Sequence, residues 1–466
     1  MEKVIVILCD TLRAKSLPHY GNERNTLPQL GRIIEEDFIV YKRAYAPSPW
    51  TIPSHLSLFT GLYPSQVMEN RRSSRLSPNF ITLADLFKDS GFKTSALIAN
   101  GFLSDRFGYN KGFDGFFQVW LPVPEEKETL LYLGGTSTGN FEKILRLLKL
   151  LGTEDNKMDI LKGLRQKIYK RFIRIYKDAT PSTNRVMNLL KQHISGNSAE
   201  RLFCFVNLMQ THEKYNPPSL TRYRFGRHNA EHENHYKKKI PADHYVVKPF
   251  SKEFFEYLKL RYEEEVLYLD IVISDFIRFL KTHNLYDDTT IIITSDHGEQ
   301  FGENGRYAHT FSVYEPVIRI PLYIKWGGNS ENNIKVDDKL VMLQDLYSTF
   351  INLLNHWQPC PESSVDLTSS CERSWILSQF PDMSYNIKSC QKKRQSFSIK
   401  EIGLEEDSLI AYVFDDWIKI IENGSSVLCY DLKIDPDEKN PYLISAEYRE
   451  MIEKIKISIH NTIDKK

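Results

Sequence analysis

The sequence lacks long apolar runs, closely spaced cysteine pairs and an excess of either charge. No run approaches the roughly 18 consecutive apolar residues that cross a bilayer. The 61 Lys and Arg residues balance 60 Asp and Glu residues, so no global field recruits nucleic acid or an anionic membrane. The six cysteines show neither CxxC nor another zinc spacing. These absences predict a reduced, cytoplasmic setting and no nucleic-acid partner.

Glycine and proline are also scarce, with 22 and 21 among 466 residues, while 41% of the residues are hydrophobic. Such a chain can bury a large core. We expect a catalytic unit over residues 1–360, with a helical insertion at 118–200, and a smaller C-terminal unit over 361–466. Residues 361–400 are rich in Ser, Pro and Lys, which favours a linker or loop-rich junction at the start of that unit.

The C-terminal unit is predicted to be a small α+β subdomain. It contains three short β-like runs, Leu409–Phe414, Trp417–Ile421 and Ser426–Tyr430. Asn423-Gly424 lies between the last two, which is typical of an antiparallel hairpin. A helix near Ala446–Ile459 would pack on the hairpin.

Short apolar runs bounded by polar residues recur through the first part of the chain. They are Val4–Cys9, Thr94–Ala99, Leu202–Leu208, Thr290–Thr294 and Val317–Ile324. Their hydrophobicity is continuous rather than alternating, which suits parallel strands covered on both faces. Helical patterns lie between them, such as Thr82–Ser90 and Phe254–Thr282. This alternation predicts an α/β fold with a doubly wound, mostly parallel sheet flanked by helices. The first run, after Met-Glu-Lys, is too short for a secretory signal.

Four of these runs are followed by polar residues of catalytic type. Asp10 follows the first run, Asn100 the second, His212 comes four residues after the third, and Asp296-His297 follows the fourth. Ligands of open α/β sheets bind beyond the carboxyl ends of the strands. The sequence therefore predicts a site in which these residues meet at one edge of the sheet.

A further candidate lies between Ser48 and Gly61, a segment that indicates a loop followed by a helix. A hydroxyl at a helix N-terminus, such as that of Thr51, could act as a nucleophile toward an anionic group. In the alternative interpretation, Thr51 and Ser54 only cap the helix.

The segment from Thr51 resembles the sulfatase signature Cys/Ser-x-Pro-Ser-Arg-x-x-x-x-Thr-Gly. Thr51 stands at the nucleophile position, and His55 stands where arginine is usual. Residues 7–13 and 294–299 resemble the metal-binding segments of that family, and residues 428–436 resemble its closing hairpin. The similarity thus runs in order along nearly the whole chain.

The resemblance implies one divalent cation, either Ca, Mn, Zn or Mg. Asp10, Asp296 and His297 would bind it, with Thr51 as a further ligand through its oxygen. Carboxylates, an imidazole and a hydroxyl form a mixed oxygen and nitrogen set that suits such ions. In isolation, Asp296-His297-Gly298 would favour a turn and helix cap after a strand.

The resemblance also implies roles around the ester. His212 and His309 would bind its nonbridging oxygens or protonate the leaving group, which suits an imidazole near neutral pH. His55 and Asn100 would bind substrate. The expected partner is a small-molecule or glycan ester.

Thr51 departs from the family pattern because its β-carbon carries a methyl group. It cannot become the formylglycine that sulfatases make from Cys or Ser, so its ester must be resolved by attack of water or another acceptor. This favours a phosphate mono- or diester over a sulfate ester. With Thr11 in place of a second aspartate, the site also resembles phosphoethanolamine transferases and lipoteichoic-acid synthases, so phospho-group transfer to a glycan or lipid head group is an alternative.

Two non-catalytic interpretations remain. One is a binding protein that kept the fold, although all predicted ligands and the nucleophile are present. The other involves a basic amphipathic helix at residues 158–177, which could contact a membrane or an acidic polymer. Most helices of this kind simply expose a solvated charged face.

Overall fold

The computed structural model describes residues 2–68, 75–119, 181–226, 251–309, 311–328, 335–381 and 408–463. The strands of this part are β1 Lys3–Cys9, β2 Ile39–Tyr45, β3 Lys93–Ile98, β4 Gly115–Gln118, β5 Leu202–Leu208, β6 Thr289–Thr294, β7 Gln300–Phe301, β8 Tyr307–Ala308, β9 Arg319–Ile320, β10 Leu322–Lys325, β11 Val336–Met342, β12 Trp375–Phe380, β13 Leu409–Phe414, β14 Ile418–Asn423 and β15 Ser426–Asp431. The α-helices are α1 Leu30–Asp37, α2 Thr51–Thr60, α3 Pro64–Val67, α4 Leu83–Asp89, α5 Pro181–Gly196, α6 Lys252–Thr282, α7 Glu315–Ile318, α8 Asp345–Leu353 and α9 Ala446–Ile463.

A mixed sheet forms the centre of the fold. Its order is β11-β2-β10-β6-β1-β5-β3-β4, and β9 pairs with β2. The strands from β6 to β4 are all parallel to their neighbours, whereas β10 is antiparallel to both β6 and β2. Every residue of β1 and β5 is buried, as their continuous hydrophobicity predicts for strands covered on both faces. The predicted doubly wound, mostly parallel sheet is confirmed.

Helices cover both faces of this sheet. One apolar cluster joins α1, α5 and α6 to one face, and a second joins α2, α4 and α8 to the other. The predicted helices at 82–90 and 254–282 are present as α4 and α6. Thr82 caps α4 because its hydroxyl accepts the Asp85 N–H, and the Asp85 carboxylate in turn accepts the Thr82 N–H.

The predicted strand Val317–Ile324 is wrong as a single element. Its first part belongs to the helical turn α7, and Pro321 separates the short strands β9 and β10. Pro316 stands in the first turn of α7, where its fixed φ favours a helix start. Pro321 lacks the N–H that a continuous ladder would need.

The strand β2 was not recognised in the sequence because Lys42 and Arg43 interrupt its apolar run. Arg43 is nevertheless buried. Its guanidinium donates to the carbonyls of Phe414 and Asp415, each at 2.7 Å, and lies 4.2 Å from the Trp417 ring centre. A buried strand can therefore carry a charge when distant segments satisfy it.

The C-terminal part forms an antiparallel sheet of order β12-β13-β14-β15. The predicted hairpin is present as β14 and β15, joined through Gly424 with a φ of 60°. The strand β12 lies within 361–400, so that interval is not only a linker. This sheet shares one apolar cluster with Tyr45 and Met342 of the main sheet, and the domain boundary at residue 360 stays a prediction.

Within the predicted insertion at 118–200, the structure describes residues 118–119, α5 and the residues that follow α5 to position 200. The basic helix predicted at 158–177 lies outside the described residues. None of the described helices combines the length and apolarity that a membrane crossing requires.

Candidate active site

Three predicted metal ligands meet at the carboxyl ends of β1 and β6. Asp10 directly follows β1, and Asp296 and His297 follow β6, its parallel neighbour. One ligand atom from each residue lies within 4.8 Å of the other two, and all three side chains are fully buried. Strand adjacency therefore produces the convergence predicted from the sequence.

The orientation of His297 favours a ligand role. Its Nδ1 lies 3.0 Å from the Gly298 carbonyl oxygen, to which an Nδ1–H can donate. This contact leaves the Nε2 lone pair directed at the carboxylates, 3.5 Å from Asp296 Oδ2 and 3.9 Å from Asp10 Oδ1. A second contact of this kind commonly orients metal-binding histidines.

The two carboxylates are incompletely compensated by the described residues. Asp10 Oδ1 and Asp296 Oδ2 are buried without a hydrogen-bond partner in this part of the chain. Burial and the neighbouring Asp296 raise the pKa of Asp10 to about 6, and burial raises the pKa of Asp296 to about 7. Burial also lowers the pKa of His297 to about 3, which keeps its ring neutral. Unpaired buried carboxylates beside a neutral imidazole fit a divalent cation.

Thr51 is the first residue of α2 and lies beside this cluster. Its Oγ1 is 3.5 Å from His297 Nε2, and the side chain is almost fully buried. The alternative capping role is wrong, because the N-cap residue is Trp50, which makes no side-chain capping bond, and Ser54 donates to the Ser48 carbonyl instead. The Thr51 hydroxyl is thus located at a helix start whose backbone N–H groups favour anions.

Asn100 and His55 lie against the Asp10–Asp296–His297 cluster. Asn100 Nδ2 donates to Asp10 Oδ2 at 2.7 Å, and its Oδ1 accepts the Phe102 N–H. His55 Nδ1 lies 2.8 Å from the Thr51 carbonyl oxygen and 3.7 Å from Asp296 Oδ2. These contacts orient a carboxylate and the start of α2, whereas the sequence predicted that both residues bind substrate.

His212 and His309 lie next to one another near the same cluster. Their ring centres are 5.6 Å apart, and the His309 ring centre is 4.4 Å from that of His297. Burial lowers the pKa of His212, but Asp10 and the Glu213 carbonyl outweigh it, and the net shift is upward. Both imidazoles therefore lie beside the predicted metal ligands.

Sequence reasoning missed the residues that hold these groups in place. Glu299 accepts the Tyr215 hydroxyl at 2.9 Å and lies 3.2 Å from His309 Nδ1. Tyr262 donates to the Thr11 carbonyl at 2.8 Å. Glu299 follows the Asp-His-Gly segment directly, which could have signalled its role. Tyr262 lies on α6, far along the chain, and has no local signal.

Thr11 turns its hydroxyl away from the cluster, while its backbone N–H donates to Asp296 Oδ1 at 3.3 Å. Its φ is 60°, and its hydroxyl donates to the Thr211 carbonyl at 2.6 Å. The described structure therefore offers two carboxylates, from Asp10 and Asp296, rather than a larger acidic set.

Comparison with known proteins settles the family. The model of the sulfatase family matches residues 2–356. The chain belongs to the sulfatase family. Members of this family are hydrolases of sulfate esters, and the sheet, its helices and the C-terminal antiparallel sheet agree with that membership.

The individual proteins that this chain resembles are distant in sequence. The chain is 21% identical to arylsulfatase K of Bos taurus over 499 residues, covering 99% of this chain and 81% of that protein. A shorter match is 27% identical to the phosphoethanolamine transferase EptA of Salmonella typhimurium, covering 24% and 23%. The structure of the phosphonate monoester hydrolase of Agrobacterium radiobacter superimposes with a TM-score of 0.67 at 16% identity, covering 99% and 96%.

Proposed function

We propose that this sulfatase-family chain is a metal-dependent hydrolase of a phosphate mono- or diester, with Thr51 as its nucleophile. One observation carries the proposal: Thr51 Oγ1 lies 3.5 Å from His297 Nε2, at the start of α2 and beside Asp10 and Asp296. A hydroxyl, two carboxylates and an imidazole thus converge in a buried site.

The residues around Thr51 suit this reaction. Asp10, Asp296 and His297 would hold one divalent cation, which would lower the pKa of a nearby hydroxyl and offset charge on the ester oxygens. Asn100 fixes Asp10 through its 2.7 Å hydrogen bond. The start of α2 presents backbone N–H groups that favour the anionic ester.

The side-chain chemistry of Thr51 favours phosphorus over sulfur. Attack by its hydroxyl on phosphorus forms a threonine phosphoester and breaks the bond to the leaving group, which His212 or His309 would protonate. Because the methyl group prevents formation of an aldehyde hydrate, water must then attack phosphorus to release the product. The similar fold of a phosphonate monoester hydrolase supports chemistry at phosphorus.

Two alternative reactions have specific support. The arylsulfatase K similarity favours a sulfate ester. The match to a phosphoethanolamine transferase favours transfer of a phospho-group to a glycan or lipid head group. In either case the substrate is an ester of a small molecule or glycan, and the cytoplasmic location stays a prediction.

A substrate panel tests the proposal. Purified protein is assayed with p-nitrophenyl sulfate, p-nitrophenyl phosphate and bis-p-nitrophenyl phosphate in Mn, Zn, Ca or Mg. We expect turnover of a phosphate substrate, lost by at least about 10³-fold in Thr51→Val, because removal of a nucleophile can cost about 10⁶-fold. Thr51→Ser should retain activity, since it keeps the hydroxyl and removes only the methyl group.

The Thr51→Val variant also provides the control, because valine has nearly the shape of threonine. Its cation content should match that of the wild type if Asp10, Asp296 and His297 supply the main ligands. Turnover of the sulfate alone, or full activity in Thr51→Val, would refute the threonine mechanism. Release of p-nitrophenol that appears only when an alcohol acceptor is added would favour phospho-group transfer.

A further inference from the structure

The segment that carries His212 is held at both ends by one glutamate of α6. We call residues 210–216 the His212 loop. Glu265 Oε2 accepts a hydrogen bond from Gln210 Nε2, and Glu265 Oε1 accepts the backbone N–H of Asn216 at 2.7 Å. Glu265 is 2% exposed and Gln210 is 1% exposed. A single buried carboxylate therefore connects the start and the end of the loop.

The middle of the His212 loop lies against the Asp10–Asp296–His297 cluster. The Thr211 hydroxyl donates to the Asp10 carbonyl at 2.6 Å, and the Thr211 carbonyl accepts the Thr11 hydroxyl. Tyr215 donates to Glu299 at 2.9 Å. A shift of the loop ends would therefore move His212 relative to Asp10.

The helix α6 is a rigid support for this contact. It is 31 residues long, and its Tyr262, one turn before Glu265, donates to the Thr11 carbonyl. The adjacent buried glutamates have other partners: Glu263 pairs with Arg24 at 2.8 Å, and Glu264 pairs with Arg261 at 3.1 Å. Among the described contacts, the loop ends are thus bonded by Glu265 and not by its neighbours.

We propose that Glu265 is a positioning residue that sets the place of His212 relative to the Asp10–Asp296–His297 cluster by holding the ends of the His212 loop. The effect on turnover rests on the proposed function. The effect on the loop itself does not, because it follows from two hydrogen bonds and the burial of their acceptor. Small displacements of a catalytic group can cost about 10²-fold in rate.

A conservative variant is available because burial favours the uncharged form of the Glu265 carboxyl group. Burial raises the pKa of Glu265 to about 8, against the smaller opposing effects of its two hydrogen bonds and of Arg222, and with a further increase from Glu264. Gln210 Oε1 is buried without a partner in the described part of the chain. After Glu265→Gln, the new amide can donate to Gln210 Oε1 once the Gln210 amide turns over, and its carbonyl oxygen can accept the Asn216 N–H.

Hydrogen exchange tests the loop without reference to activity. The backbone N–H of the exposed residue Asn216 donates to Glu265, so loss of that bond should speed exchange of this amide. In the cation-loaded protein we expect Glu265→Leu to speed exchange in peptides covering 210–216 by at least about tenfold. Glu265→Gln should stay near the wild type, and Glu263→Gln, two residues away, should leave the loop unchanged. Unchanged exchange in Glu265→Leu would overturn the proposal.

A double-mutant cycle tests the effect on His212. We expect Glu265→Leu to lower kcat by about 10–10²-fold with a smaller change in KM, and Glu265→Gln to restore most of it. In a His212→Ala background, Glu265→Leu should cause no further loss. Additive losses would show that Glu265 acts elsewhere and would overturn the proposal.

Failure of the proposed function and misfolding of Glu265→Leu can both be distinguished from failure of the loop proposal. If the wild type hydrolyses no ester, the proposed function fails, and the exchange experiment alone still decides whether Glu265 holds the loop. If Glu265→Leu does not fold, Gln210→Leu removes one of the two contacts from the loop side and is measured in the same way. Exchange unaltered by that variant counts against the proposal.

Discussion

Two buried charged clusters in this protein contrast in how their carboxylates are compensated. At the carboxyl ends of β1 and β6, Asp10 and Asp296 lie close together with unpartnered oxygens among the described residues. Beside the C-terminal sheet, Lys419 lies between Glu315 at 3.1 Å and Glu438 at 2.7 Å. One cluster contains its own cation and the other does not.

The difference separates a structural role from a chemical one. Burying a carboxylate is costly unless an opposite charge or hydrogen bonds replace water. Lys419 supplies that charge within the fold. Among the described contacts, no Lys or Arg side chain pairs with Asp10 or Asp296, which supports the cation site proposed above. The clusters are also connected, because Glu315 opens α7, and the Val317 carbonyl of α7 accepts the Gly298 N–H at 2.6 Å, next to His297.

We expect the largest loss of stability from substitution of Lys419. Lys419→Met leaves Glu315 and Glu438 buried without their cation, and breaking such a pair costs about 3–5 kcal/mol. Lys456→Met is the matched control, because Lys456 is 41% exposed in its pair with Glu422 and should contribute only about 0–1 kcal/mol. Urea unfolding of both variants measures the difference. Equal midpoints would remove the distinction between the two clusters.

Added divalent cation should stabilise the folded protein by binding at the Asp10–Asp296–His297 cluster. At 100 times its Kd, a divalent cation that binds only the folded chain raises the free energy of unfolding by about 2.7 kcal/mol. Asp296→Asn should abolish this gain, whereas Lys419→Met should keep it. Thermal melts with chelator and with each cation provide the measurement. A gain that survives Asp296→Asn would place the cation elsewhere.

Without cation, Asp296→Asn should change the stability of the protein in the opposite direction. In chelator, Asp296→Asn removes a buried charge that faces Asp10, and its new amide can donate to Asp10 Oδ1. We therefore expect it to be more stable than the wild type by about 1 kcal/mol, at the low end of the cost of an unsatisfied buried group. Calorimetry in chelator compares the two. A lower stability would mean that the fold already compensates Asp296.

Glu265 represents a third way to bury a carboxyl group, by keeping its proton. Its pKa is raised from 4.5 to about 8 by burial, so the folded chain keeps a proton that the unfolded chain has lost. Stability should therefore fall as pH rises from about 4.5 to about 8, and the decline should be shallower in Glu265→Gln.

Unfolding measured at several pH values between 5 and 8.5 tests this expectation. Other buried glutamates, such as Glu264 with a pKa of about 7, act in the same direction, so the comparison with wild type isolates Glu265. Identical slopes for the two proteins would show that Glu265 is ionised in the folded chain.

Much of the main sheet could be predicted from local patterns. The runs that became β1, β3, β5 and β6 are mostly apolar without alternation, because strands covered on both faces bury nearly every side chain. The strand β2 was missed since its buried Arg43 is satisfied by carbonyls more than 370 residues away. The predicted strand at 317–324 failed because Pro316 favours a helical turn at its start and Pro321 divides the remainder.

The amino-acid sequence by itself determined which chemical groups reach the edge of the sheet. A polar residue after each buried strand must lie there, and the spacing around Thr51 places a hydroxyl at a helix start. These features depend on neighbours in the chain, so Asp10, Thr51, Asp296 and His297 could be predicted together as one candidate site.

Only the tertiary structure decided what each group contacts. Asn100 bonds Asp10, the Thr11 hydroxyl turns to Thr211, and Glu265 holds the His212 loop. The direction of a buried polar side chain depends on which distant donor or acceptor replaces its lost water, and that partner exists only once the chain has folded.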